Sequence, residues 1–232
     1  MARLNRLVVP GQAHHVSLTA VRGAEVFTSA REHDLFIEAL RRAASEHRVT
    51  IHAHVLLGTG LQLLVTPGAA QDLGRMMQAL SRFYVGPFNR RQGRSGALWQ
   101  SRYRAGPVGG SAELLLCMRY IEQAPRGAGW AGAMAEYLWS SAAYHAGAQG
   151  HPFLAPVPPA SGYWLLGNTP FEREAAYTVL LESPLASDQL ARVEATTLKG
   201  WAMGSGEFIA SLATEASRRP VAQARGRPRK VA

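Results

Sequence analysis

Two histidines, His52 and His54, stand one residue apart in "HAHVLLGTGLQLLVTP", ahead of a Gly-Thr-Gly turn. Alternate residues of a strand share a face, so a His-x-His pair offers two imidazoles to one metal ion. Beyond the turn the alternate positions hold Gly60 and Gln62. Glycine supplies no side-chain ligand, and Gln62 has only a neutral carbonyl oxygen for a hard cation. The stretch is therefore a metal site, a metal site stripped of ligands, or a hairpin whose histidines hydrogen-bond at a sheet surface. His14, His15 and His145 lack ligand spacing.

A second chemistry is carried by arginine. Between Leu73 and Gly110 there is no acidic residue, while Arg75, Arg82, Arg90, Arg91, Arg94, Arg102 and Arg104 all fall there. Phe83, Tyr84, Phe88, Trp99 and Tyr103 are interleaved with them. Guanidinium forks bind phosphate and aromatic faces stack unpaired bases, so the combination suits single-stranded or hairpin nucleic acid. The competing reading is a solvated basic face with its aromatics in the core, and alternation turns Phe83 and Tyr103 inward. Near the end, Arg225-Gly226-Arg227-Pro228 has the form of an AT-hook core, in which a flat Arg-Gly-Arg-Pro segment lies in a narrow A·T minor groove. The alternative is a solubilising tail.

Composition agrees with an anionic partner. The 232 residues carry a formal charge of +9, and 47% are hydrophobic, enough to bury a core. The only cysteine, Cys117, sits in the apolar run "LLLCMRY", which excludes an internal disulfide framework and suits a buried, inert thiol. The apolar stretch before Pro10 is too short for a signal peptide or anchor, and no run approaches the ~20 residues of a spanning helix. A cytoplasmic, nucleoid-associated protein without a membrane partner is expected.

These groups need a scaffold. Val16, Leu18 and Ala20 alternate with His15, Ser17 and Thr19, which predicts a half-buried strand. Residues 29 to 47 have Leu35, Phe36, Leu40 and Ala43 at helical spacing behind a Ser29 cap. A strand with Val49, Ile51, Ala53 and Val55 on one face pairs with Leu61 to Thr66, and a helix over 70 to 86 follows. The next stretch is loop-like, with a strand from Tyr103 to Val108 and a helix capped by Ser111 running to Pro125. The order predicts an α+β, ferredoxin-like antiparallel sheet with helices on one face. Residues 1–150 form this domain; 151–217, opening on a Pro/Gly-rich connection, are a small helical extension; 218–232 are the basic tail. In the extension, Thr169-Pro170-Phe171-Glu172 spells a capping box. The helices from Ser187 and Ser205 lack a basic face, which favours packing over a helix-turn-helix.

The blocks "GQAHHVSLTAVRG", "HAHVLLGTGLQLLVTP", "FNRRQGRSGALWQSRYRA", "RYIEQAPRGAGW" and "WSSAAYHAG" occur in an order and spacing that resemble the REP-associated tyrosine transposases. These are insertion-sequence-200-like, single-tyrosine HUH transposases. The later "GNTPFEREAAY", "KGWAMGSGEFIASL" and "RGRPRK" look like the extension many relatives carry. The resemblance implies an HUH-type domain that binds DNA hairpins and cuts one strand through a tyrosine. It also implies a divalent metal (Mg or Mn) that polarises the scissile phosphate. Tyr120 matches the nucleophile. The two turn histidines of relatives are replaced here by Gly60 and Gln62, and their asparagine one turn past the tyrosine by Ala124. Gln62 is then a vestigial ligand, His52 and His54 are lesser alternatives, and His15 matches a recurrent family position and is expected to contact DNA.

The chain is thus expected to be a DNA-binding member of this family with lost or crippled strand cleavage. It would recognise hairpin-forming single-stranded DNA through Arg75, Arg82, Arg90, Arg91, Arg94, Arg102, Arg104, Trp99 and His15, and A·T-rich flanks through Arg225 and Arg227. The alternative is an active nicking transposase that forms a 5′-phosphotyrosine through Tyr120; a third reading is a basic protein that binds RNA or nothing in particular. Relatives act as monomers or homodimers.

Overall fold

A computed structural model of the chain describes residues 5–21, 24–215 and 218–222. The AT-hook-like Arg225 to Pro228 lie outside the described residues.

Strands β1 (Ala13–Thr19), β2 (Val49–Leu57), β3 (Gly60–Pro67) and β4 (Arg104–Val108) form one antiparallel sheet in the order β2-β3-β1-β4. Helix α1 (Ala30–Glu46) starts where Ser29 accepts a hydrogen bond from the Glu32 backbone. With α2 (Asp72–Arg91) it covers one face through Phe36, Leu40, Met76 and Leu80, packed on Val16, Leu18, Leu61, Leu63 and Val65. Helix α3 (Ser111–Glu122) covers the other face, where Leu114, Cys117, Met118 and Ile121 meet Ala13, Ala53, Val55, Leu64 and Val108. The α+β class and the antiparallel sheet are as expected, but the helices take both faces. The reason lies in the strands: both side-chain rows are apolar, so each needs a cover.

Three local expectations are corrected. Strand β2 does not present Val49, Ile51, Ala53 and Val55 together. Its register shifts between Ile51 and Ala53, so Val49 and Ile51 face α1 and α2 while Ala53 and Val55 face α3. One extra residue in a strand of period two reverses the faces beyond it. Helix α2 runs through Pro87 to Arg91 instead of ending at 86. The proline forfeits a backbone hydrogen bond. The last turn is held by buried Phe88 and by Arg91, whose fork meets Glu32 at 2.8 and 2.7 Å. Helix α3 is capped by Gly110, with Ser111 as its first residue.

Beyond the short α4 (Ala124–Gly127) and α5 (Ala142–His145), the chain carries α6 (Pro170–Glu182), α7 (Ser187–Ala195) and α8 (Gly206–Glu215). The capping box at Thr169 and Glu172 is formed. Tyr177, Leu181, Leu185, Val193 and Met203 join the α3-side core, so these residues pack on the sheet domain and not as a separate unit. Both sheet edges are covered, which protects them from pairing with another chain. On β2, Leu56 N–H donates to the Trp139 carbonyl; on β4, Met203 N–H donates to that of Pro107. Among the described residues, no helix is long and apolar enough to cross a membrane.

Candidate functional site

A cleft of about 700 Å³ opens on the α3 side, at the end of the sheet where β2 turns into β3. Gln62 from β3, Tyr120 from α3 and Ala124 from the following turn all line it. Residues more than fifty positions apart in sequence are brought together because α3 crosses the sheet face that carries Gln62. Thr59, Gln123, Arg126, Leu190 and Glu194 complete the wall. Glu194 was not legible as a site residue, because nothing in the α7 sequence signals its approach to α3.

Tyr120 is half-buried, and its hydroxyl makes no hydrogen bond among the described residues. Burial, then the negative charge of Glu194, hold the phenol above its ordinary pKa. Among the described residues the only cation lining the cleft, Arg126, is paired with Glu182 at 3.0 Å. Nothing here favours a phenolate.

His15 lies beneath Tyr120, edge to face with ring centroids 5.7 Å apart. Burial lowers its pKa to about 4, so the ring is neutral at pH 7. Nε2 lies 2.9 Å from Gln62 Oε1 and Nδ1 lies 2.8 Å from Thr197 Oγ1. A neutral imidazole has one N–H, so it donates to the Gln62 carbonyl and accepts from the Thr197 hydroxyl. The expectation that His15 contacts DNA is therefore corrected: it is 1% exposed, covered by the segment around Thr197.

The donor set of the cleft does not fit the divalent metal that the resemblance implies. The Gln62 oxygen is engaged by His15, and Gly60 and Ala124 offer no donor. Among the described residues, no three His, Cys, Asp or Glu side chains are placed to share an ion. Nor do His52 and His54 form a pair. The register shift sends His52 toward Thr66 Oγ1 (2.9 Å) and the Pro156 carbonyl (2.7 Å), on the face that carries Gln62. His54 pairs instead with Leu63, on the α1/α2 face, and its buried ring lies 5.2 Å from that of His151. Neither lines the Tyr120 cleft.

The arginines separate into two groups. Arg75, Arg82, Arg90, Arg102 and Arg104 are exposed and make no ion pair among the described residues. Arg91 is neutralised by Glu32, which the sequence order concealed, and the Arg94 guanidinium donates to the Ala97 carbonyl at 3.2 Å. Trp99 is half-buried against the core, and its indole N–H has no partner among the described residues. Tyr103 is buried, as inward alternation requires, and so are Tyr84 and Phe88; Phe83 is only half-buried, with the Arg42 guanidinium 4.2 Å above its ring.

Comparison with known proteins adds one finding. No family profile matches the chain, and no curated protein is significantly similar to it. The fold is similar to a solved structure of a REP-associated tyrosine transposase bound to a REP hairpin, with a TM-score of 0.54. The two are 16% identical, over 69% of this chain and 96% of that one. The likeness is one of fold.

Proposed function

We propose that the protein is a distant relative of the REP-associated tyrosine transposases that binds hairpin-forming single-stranded DNA, with strand cleavage lost or crippled. One observation carries the reading: Tyr120, Gln62 and Ala124, matched separately to the family's nucleophile and ligand positions, line a single cleft. A solved structure of the same general fold is bound to a DNA hairpin, which supports DNA as the partner. Binding rests on phosphate contacts, and the unpaired Arg75, Arg82, Arg90, Arg102 and Arg104 supply cations for it. Cleavage is another matter. A metal contributes on the order of several kcal/mol to the transition state of such a reaction, and the cleft has no donor set for one. With the phenol held protonated, the nucleophile is also unactivated. Arg225 and Arg227 are assigned to A·T-rich flanks, and the protein to nucleoid DNA in the cytoplasm.

The test incubates purified protein with a labelled single-stranded hairpin, bearing A·T-rich or G·C-rich flanks, and Mg²⁺ or Mn²⁺. Expected are preference for the hairpin over random single strands at ~0.15 M salt, tighter binding to A·T-rich flanks, and no covalent adduct. A 5′-phosphotyrosine adduct that disappears in Tyr120→Phe would establish the active transposase instead. Equal, weak binding to all probes would leave only a nonspecific basic protein.

A further inference from the structure

We propose that a second groove, built jointly by the start of β4 and the C-terminal segment after α7, takes the phosphate backbone of single-stranded DNA and leads it to the Tyr120 cleft; this rests on the DNA-binding reading above. The groove has two adjoining parts, of about 230 and 550 Å³, sharing Arg6, Ser101, Arg102 and Tyr103. Arg82 lines its α2 end, and Arg104, Lys199 and Arg218 its other end. Among the described residues, no carboxylate lines either part.

Two of the guanidiniums are held in place by aromatic rings. Arg6 sits 3.7 Å above Tyr103 and donates to its carbonyl at 3.2 Å. Arg218 lies 4.8 Å above Trp201 and donates to the Gly200 carbonyl. Such stacking fixes the forks in advance, so less freedom is lost when they meet an anion. Two further groups are buried and unpartnered among the described residues: the indole N–H of Trp99, at the α2 end, and Nε of Arg218. Both are donors, so the complement they lack is an acceptor-rich ligand. A cationic track with aromatic side chains along it is the chemistry that binds a single strand.

The register connects groove to cleft. Arg104 pairs with Ser17, and Ser17 with Gln62, so the three side chains share the α3 face in one row. Two strand spacings put Arg104 roughly 10 Å from Gln62. Between them, α7 and the turn after it form a common wall: Glu194 and Leu190 line the cleft, Lys199 and Trp201 the groove. The extension therefore supplies one wall of a binding surface as well as packing.

The experiment measures fluorescence anisotropy with two labelled probes, an unstructured oligodeoxynucleotide and a hairpin carrying that sequence as an unpaired arm, across a salt series. The groove variant is Arg102→Ala/Arg104→Ala. Its control is Arg41→Ala/Arg42→Ala on α1, which removes equal charge from arginines paired with Glu38 and Glu46. Each single-strand phosphate contact contributes about 0.7 to the slope of log K against log salt, so the groove variant should lose about 1.4 of slope and roughly tenfold in affinity. The control should bind as wild type. Unchanged slope and affinity in the groove variant overturn the groove while leaving DNA binding intact. Wild-type protein that binds neither probe overturns the DNA reading, and the groove with it. Tighter binding of a ribo-oligonucleotide of the same sequence overturns the assignment to DNA.

Discussion

At position 60 the backbone itself forbids a ligand. Gly60 has φ of 150°, and a Cβ built there would lie 2.2 Å from the Leu18 carbonyl oxygen. No L-residue fits without the β1–β3 pairing giving way, and residues forced into such backbone cost on the order of 1–3 kcal/mol. The absence of a histidine at this position is therefore built into the hairpin, beyond a simple exchange of side chains. Restoring the family pattern with Gly60→His/Gln62→His is expected to lower stability by about that amount without creating Mn²⁺ binding. Urea denaturation and calorimetric titration with Mn²⁺ read the two effects. Gln62→His alone should fold normally, because position 62 has ordinary strand geometry and an open cleft before it. Micromolar Mn²⁺ binding by the double variant would show that the hairpin can still form the site.

Among the elements, α3 and α6 are joined by one buried carboxylate. Glu122 is 0% exposed and accepts from Tyr177 Oη at 2.6 Å, from the Ser141 hydroxyl, and from His145 Nδ1 at 2.6 Å. Ser141 in turn accepts from the His54 backbone N–H at 2.9 Å, tying β2 to the same group. Burial, then the negative charge of Glu122, hold the Tyr177 phenol protonated and donating. Removing one donor from a buried anion costs more than the hydrogen bond gains, because the charge stays desolvated. Tyr177→Phe should therefore destabilise the protein by about 2 kcal/mol, seen as a lower urea midpoint. Hydrogen exchange should show α6 opening before the sheet. A neutral Tyr177→Phe would mean that water already shares the site. A second junction joins the C-terminal segment to β4 at Gly106, where a Cβ would lie 2.2 Å from the Trp201 carbonyl oxygen. The close backbone approach there lets Lys199 and Trp201 reach the groove beside Arg104.

For the whole molecule the clearest consequence is pH dependence. Burial lowers His14 and His15 to about 4 and His54 to about 3, against 6.5 when unfolded. Between those values the unfolded chain binds more protons than the native one, so stability rises with pH there. Stability from these groups is fully present above pH 6.5, is lost as pH falls toward 4, and is gone below the folded values. Each of His14 and His15 is worth about 3 kcal/mol on this scale. Urea midpoints from pH 8 to 4 should fall steeply below 6.5, and the imidazole resonances of His14, His15 and His54 should not titrate above pH 5. Imidazole titration near 6.5 with a flat stability profile would contradict their burial.

Much of this was legible in the sequence. Helix caps at Ser29 and Thr169, the alternation of β1, the hairpin and the acid-free arginine segment are local features, set by periodicity, capping and charge within a few residues. Tyr120 and the substituted positions Gly60, Gln62 and Ala124 were reached through resemblance, and the folded chain brings Tyr120, Gln62 and Ala124 to one cleft. What only the tertiary structure decided are relations between distant residues. A register shift in β2 parts His52 from His54, Glu32 reaches Arg91 across two helices, and Thr197 buries His15. Arg6, Lys199 and Arg218 meet Arg102 in one groove although they lie at opposite ends of the chain. Such pairings depend on how faces are covered and edges closed, and those are decided only when the whole apolar surface is buried at once.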